Sequence, residues 1–271
     1  MKKLLIAAAA LLAATAARGA DMVPRTYTKA PAIPVSNWTG FYAGANVGYA
    51  WGDPSIFYAP NNSVIAGSGS AFPTGSWDNS GALGGAQLGF NWHVNPQWVT
   101  GIEADIDASG IKGSNASAGV VGFGAASFTT SQKVDWFGTV RGRLGFLPTD
   151  RLLIYGTGGL AYGEIKEDTS LTRSTGLHVT GGGFGVSCTA NQTCFAGSTS
   201  GVRTGWTAGA GFEYALLQNV SVKTEYLYVD LGGNSVIGTA FNGNGQKPAS
   251  YTATISGLNF NIVRAGLNYR F

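Results

Sequence analysis

The chain has 271 residues, of which 42 are glycine, 12% are aromatic and only 11% are charged. That charge content is well under the roughly 25% of soluble domains, and no segment after the N-terminus reaches the about 18 to 20 uninterrupted apolar residues of a membrane-spanning helix. The 17 basic and 14 acidic residues fall to 15 and 14 once Lys2 and Lys3 are set aside, so there is no basic surplus to argue for nucleic acid as a partner.

Lys2 and Lys3 precede an apolar run from Leu4 to Ala17. The run is too short to cross a bilayer but suits a secretory signal. Residues 1–20 are therefore expected to be a signal peptide, cleaved between Arg18 and Asp21. Residues 21–37 contain Pro24, Pro31 and Pro34 without periodicity, which reads as an extended linker.

From Trp38 onward, alternation of apolar and small or polar residues predicts strands. The first sets Phe41, Ala43, Ala45, Val47, Tyr49 and Trp51 against Tyr42, Gly44, Asn46, Gly48 and Ala50. A second sets Ala86, Leu88, Phe90 and Trp92 against Gln87, Gly89, Asn91 and His93. A third sets Ile102, Ala104 and Ile106 against Glu103, Asp105 and Asp107. The fourth sets Val134, Trp136, Val140, Leu144 and Phe146 against Asp135, Thr139, Arg141 and Arg143.

The fifth runs from Leu152 to Tyr162. The sixth places Trp206, Ala208, Ala210, Phe212 and Tyr214 opposite Thr207, Gly209, Gly211 and Glu213. The seventh places Val220, Val222, Thr224, Tyr226 and Tyr228 opposite Ser221, Lys223, Glu225 and Leu227. The eighth places Val263, Ala265, Leu267, Tyr269 and Phe271 opposite Arg264, Gly266, Asn268 and Arg270.

The connections alternate in length. Short turns fall near 94–97, 147–151 and 215–219, and long polar segments near 53–81, 109–131, 164–202 and 232–254. Short turns on one side and long loops on the other are the asymmetry of barrels in the outer membrane. The predicted fold is all-β: an eight-stranded antiparallel transmembrane β-barrel over residues 38–271, with short periplasmic turns and four long external loops. The apolar faces would meet lipid, with Trp38, Trp51, Trp92, Trp98, Trp136, Trp206, Tyr226, Tyr228, Tyr269 and Phe271 as interfacial belts.

The opposite faces would line the lumen. They carry Glu103, Asp105, Asp107, Asp135, Arg141, Arg143, Glu213, Lys223, Glu225, Arg264 and Arg270. A charge facing lipid at the midplane costs about 2–4 kcal/mol, and buried charges persist when paired. A salt-bridged interior is expected, because an eight-stranded barrel is just wide enough for its own side chains to fill. The rival is a pore lined by the same charges.

Cys188 and Cys194 read as a disulfide in an exported protein, the alternative being a metal pair that lacks further ligands at suitable spacing. No cofactor or metal is implied. His93 and His178 offer no nucleophile–base set, so no catalytic residue is assigned.

Several segments resemble the small outer-membrane β-barrel family, which includes OmpA-like barrels and outer-membrane immunogenic proteins of porin-family type. They are Trp38-Thr39-Gly40-Phe41-Tyr42, Gly101-Ile102-Glu103-Ala104-Asp105, Val140-Arg141-Gly142-Arg143-Leu144-Gly145, Tyr155-Gly156-Thr157-Gly158-Gly159-Leu160-Ala161-Tyr162 and Tyr269-Arg270-Phe271. The residues lead to the expectation of a structural, surface-exposed protein of the cell outer membrane without enzymatic activity, and the resemblance implies that its loops are antigenic. Its partners would be outer-membrane lipid and an extracellular ligand met by the loops. It also implies that the barrel-assembly machinery reads Val263, Ala265, Leu267, Tyr269 and Phe271. The alternatives are a small channel and, further off, a lipid-modifying enzyme.

Overall fold

The computed structural model describes residues 37–67 and 69–271. The signal peptide and nearly all of the linker expected at residues 1–37 lie outside them. Eight long strands build the wall: β1 (Gly40–Gly52), β2 (Asn79–Asn95), β3 (Trp98–Ser109), β4 (Gly124–Thr149), β5 (Leu152–Arg173), β6 (Gln192–Ala215), β7 (Val220–Asp230) and β8 (Asn259–Arg270). Each pairs antiparallel with its sequence neighbours, and β8 pairs with β1 through Tyr42↔Arg270 to Trp51↔Asn261. The ring is closed and leaves no free edge at this level, which removes the hazard of an unpaired strand.

The alternation in sequence becomes an inside and an outside. Val47, Leu88, Ile102, Ile106, Val140, Leu144, Leu160, Phe212 and Leu267 are exposed on the outer wall, while Asn46, Gln87, Glu103, Arg141 and Glu225 are buried within. Aromatic pairs mark two levels of that wall. At the turn end Phe41 packs on Phe90, Trp98 on Phe146 and Tyr269 on Phe271; toward the loop end Trp136 packs on Tyr162 and Trp206 on Tyr228. Glycine on the inner face makes room for large neighbours: a Cβ on Gly89 would lie 2.3 Å from the Tyr42 ring, and one on Gly211 would lie 2.8 Å from the Tyr155 hydroxyl.

The short turns hold themselves locally. The Asn95 side chain accepts hydrogen bonds from the amides of Gln97 and Trp98, both at 3.0 Å, the local capture that suits asparagine to turns.

The four long connections differ from the polar loops expected of them, because they are themselves β-structured. The strand from Trp136 back to Gly124 continues β4 by about 40 Å, and β5 and β6 rise beside it. Onto β6 add, in order, strands Asn234–Ala240, Ser250–Ser256, Ser55–Pro60 and Thr74–Ser76. Strand Lys112–Val121 pairs with β4 on the other flank and meets the segment at 71–76 through an Ala71↔Val120 bridge.

The wall thus continues past the aromatic level as a second ring-like body. Tyr58, Phe128, Leu171, Phe195 and Tyr251 are fully buried in its core. Burial raises the Tyr58 and Tyr251 hydroxyl pKa values above the ordinary tyrosine range. Cys188 and Cys194 are bonded to each other, tying the hairpin Leu177–Gly181/Phe184–Cys188 to the start of β6.

Candidate functional site: a layered, ion-paired lumen

The lumen is stacked in layers. At the turn end Trp38 is wholly buried among Val99, Leu147, Leu153, Tyr155 and Ala215. Its indole donates to the Asp150 carbonyl at 3.0 Å, and the Arg270 guanidinium lies 4.5 Å from its ring centre. The layer above is charged. Toward the loop end an apolar layer follows, with Ala50, Leu83, Val134, Phe137, Ile165, Leu227, Phe260 and Ile262 buried together.

Glu103 is the hub of the charged layer. It accepts from Arg141 Nη2 at 2.5 Å, from Lys223 Nζ at 2.7 and 2.8 Å, and from the Tyr42 hydroxyl at 2.7 Å. Arg141 also donates to Asp105 at 2.9 Å and to Glu225 at 2.9 Å. Arg264 bridges Glu225 at 2.8 Å, Asp105 at 2.7 Å and Asp107 at 3.1 Å. Arg143 donates to Glu213 at 2.8 Å and to the Tyr42 hydroxyl at 2.9 Å, and stacks 4.0 Å from the Tyr155 ring centre.

Hydroxyls and amides complete the layer: Thr139 donates to Asp105, Ser221 and Asn268 to Glu213, and Gln87 to Asn268. The Coulomb gain in such a place is offset by desolvation of both partners. What the network provides is therefore geometric: each of the three arginines is held by acceptors from different strands, and Lys223 by both oxygens of Glu103.

The structure brings together Glu103, Asp105, Asp107, Arg141, Arg143, Glu213, Lys223, Glu225 and Arg264 of the charges expected inside. Arg270 sits lower, over Trp38, where it donates to the Asn37 carbonyl at 2.7 Å.

Two expectations are corrected. Asp135 is not in the lumen: the register of β4 slips between Val134 and Trp136, so Val134 and Gln132 turn inward and Asp135 turns out. One extra residue in a strand reverses its faces from that point on. Trp38 is not in an interfacial belt either. It precedes β1, escapes the alternation that aims wall residues, and folds across the mouth of the barrel.

The contributions of Tyr42, Tyr155, Thr139, Ser221 and Asn268 were not singled out from the sequence. Their signal was available in their parity, which they share with the charges. His178 is in a similar position: its Nδ1 pairs with Ser187 Oγ at 2.7 Å across the exposed hairpin, a juxtaposition made by strand register alone. His93 lies in β2 beside the turn end, its amide donating to Thr39 Oγ1 at 3.0 Å. Val263, Ala265, Leu267, Tyr269 and Phe271 alternate on the outer wall, and the Phe271 amide donates to the Phe41 carbonyl at 2.9 Å.

The family model and the sequence relatives agree with this architecture. Residues 5–271 match the model of the outer membrane protein beta-barrel domain. The chain is 38% identical to the 31 kDa outer-membrane immunogenic protein of Brucella melitensis over the full length of both. It is 29% identical to the 22 kDa outer membrane protein of Rhizobium leguminosarum, covering 74% of this chain and 68% of that one. Among solved structures, the outer membrane protein OprG from Pseudomonas aeruginosa aligns with a TM-score of 0.45 at 14% identity, covering 88% of this chain and all of that one. With its closed ring of strands and its lipid-facing wall, the chain belongs to the outer membrane β-barrel family and is a protein of the cell outer membrane.

Proposed function

We propose that this protein is a closed, non-catalytic barrel whose task is to hold a folded β-structured body outside the cell. The observation that carries the reading is the order of layers in the lumen. The ion-paired layer lies between the Trp38 layer and the apolar layer around Phe137 and Phe260, and a water path would have to part both. The body at the loop end has its own core and a disulfide, features of a surface that keeps its shape. The names of the Brucella relatives, which call those proteins immunogenic, agree with exposure of that body.

Planar-bilayer recording of the refolded protein tests this, with the expected result that no stable single-channel steps appear. Steps abolished by Arg141→Gln or Arg143→Gln would replace it with a channel. Orientation is read separately by an epitope placed in the hairpin at 177–188, which is expected to be accessible on intact cells.

The outward alternation of Val263, Ala265, Leu267, Tyr269 and Phe271 supports the same residues as the signal read by the barrel-assembly machinery. Deletion of Phe271 is expected to reduce strongly the amount of folded, heat-modifiable protein in outer membranes. Unchanged assembly would remove that role.

A further inference from the structure

The bulge that removes Asp135 from the lumen builds something on the outer wall. Lys112, Lys133 and Lys166 stand directly opposite one another on three adjacent strands, in the register Lys112↔Lys133 and Lys133↔Lys166. Like charges in that position repel. Asp135 offsets part of the repulsion by bridging two of them, at 2.5 Å from Lys133 and 2.6 Å from Lys166. Hydrogen bonds from Lys133 first and then Lys166 hold its carboxyl below the ordinary aspartate range, so it stays ionised at neutral pH. The lysine side chains remain 55% and 50% exposed. Three lysines against Asp135 and Glu164, which also acts on Lys166, leave the row a net positive charge, with the ammonium groups of Lys133 and Lys166 held by Asp135.

Its height is informative. Trp136 and Tyr162 pack together at the aromatic level, and the Trp136 indole donates to Glu164 at 3.0 Å. Across the bulge, Lys133 lies about 7 Å of ladder beyond Trp136, two residues on the partner strand from Glu164 to Lys166. Aromatic residues of this kind mark the edge of the hydrocarbon, so the lysines stand at the depth of lipid headgroups.

The next rows up are hydroxylic: Ser131↔Asp168↔Ser198, then Thr129↔Ser170. They line a concavity of about 480 Å³ with Gly197, within the roughly 300–1,000 Å³ range of small-ligand sites. Ammonium groups serve as point charges for phosphate, and a hydroxyl- and carboxylate-lined hollow offers partners to sugar hydroxyls.

We propose that this face binds a phosphorylated glycolipid of the outer leaflet, its phosphate on Lys112, Lys133 and Lys166 and its sugar in the hollow above. Asp135 acts as a positioning residue that aims two of the ammonium groups. The proposal rests on the loop end facing outward, as read above.

The test uses the full-length protein in nanodiscs and bisphosphorylated lipid A as probe, with retention followed by native mass spectrometry and affinity by titration. Each lysine replaced by glutamine is expected to weaken binding about fivefold, and Lys133→Gln with Lys166→Gln roughly 30-fold. Arginine at both positions is expected to keep most of the affinity. None of these side chains reaches the lumen, so heat-modifiable folding should persist. Equal binding by the double glutamine variant, or by lipid A stripped of its phosphates, overturns the proposal. Full displacement by millimolar inorganic phosphate also overturns it, by making the row a site for free anions. A hairpin epitope hidden on intact cells would instead strike down the orientation, whereas an accessible epitope with unchanged lipid binding strikes down this site alone.

Discussion

Replacing Glu103 by leucine is expected to destabilise the barrel by about 3–5 kcal/mol, the range seen when one partner of a buried pair is removed. Glu103 is the shared acceptor for Arg141, Lys223 and Tyr42. Arg141 would keep Asp105 and Glu225, but the next carboxylate oxygen to Lys223 is that of Glu225 at 4.0 Å. The loss therefore falls mainly on Lys223, a cation that cannot reach water from inside the wall. Urea or guanidinium titration of the protein in micelles measures the change, with heat-modifiable mobility reporting the folded fraction.

Adding Lys223→Met to Glu103→Leu should recover part of the loss, because deleting a whole pair is far less harmful than stranding half of one. The buried location also predicts that the effect survives high salt, since screening acts on exposed pairs. A single-variant change under about 1 kcal/mol, the scale of exposed pairs, would mean that the layer is hydrated and the lumen open.

Trp38→Ala is expected to cost about 3–5 kcal/mol, the range for emptying a large aromatic site in a core. The indole fills the turn end of the lumen, stacks under Arg270 and donates to Asp150. Trp38→Phe keeps the ring and loses the hydrogen bond, so about 1 kcal/mol should separate it from wild type. Equilibrium unfolding of both variants distinguishes a packed plug from a loosely resting side chain, which would give near-zero changes for either. Conductance should stay absent in Trp38→Ala, because the charged and upper apolar layers remain above the gap.

The eight wall strands, the three short turns and the inward and outward faces, except in β4 from its bulge toward Gly124, were legible in the alternation from Phe41 to Phe271. So were the charges that meet in the ion-paired layer, with Asp135 and Arg270 as the two expected there and found elsewhere. A period of two is a local property: it follows from the pleat of each strand and needs no knowledge of the neighbour. An ion pair between neighbouring strands is legible, as for Glu103 opposite Arg141, but the pairs across the lumen were not. That Arg141 would meet Glu225 as well as Glu103, or that Arg264 would bridge Asp105 and Asp107, depends on the shear that brings distant strands to one height in a narrow tube.

By itself, then, the sequence determined a lipid-facing barrel with a charged interior, because lipid outside and side-chain crowding inside impose the same rule at every second residue. The tertiary structure alone decided three things. It turned Asp135 outward, since a single-residue bulge reverses a strand's faces without disturbing the composition around it. It drew Trp38 across the mouth, since that residue lies outside any strand and is placed by the cavity it fills. And it folded the long polar connections into a cored body, since their pairing joins segments as distant as Ser55–Pro60 and Ser250–Ser256, whose affinity for one another exists once the ring below has set their ends side by side.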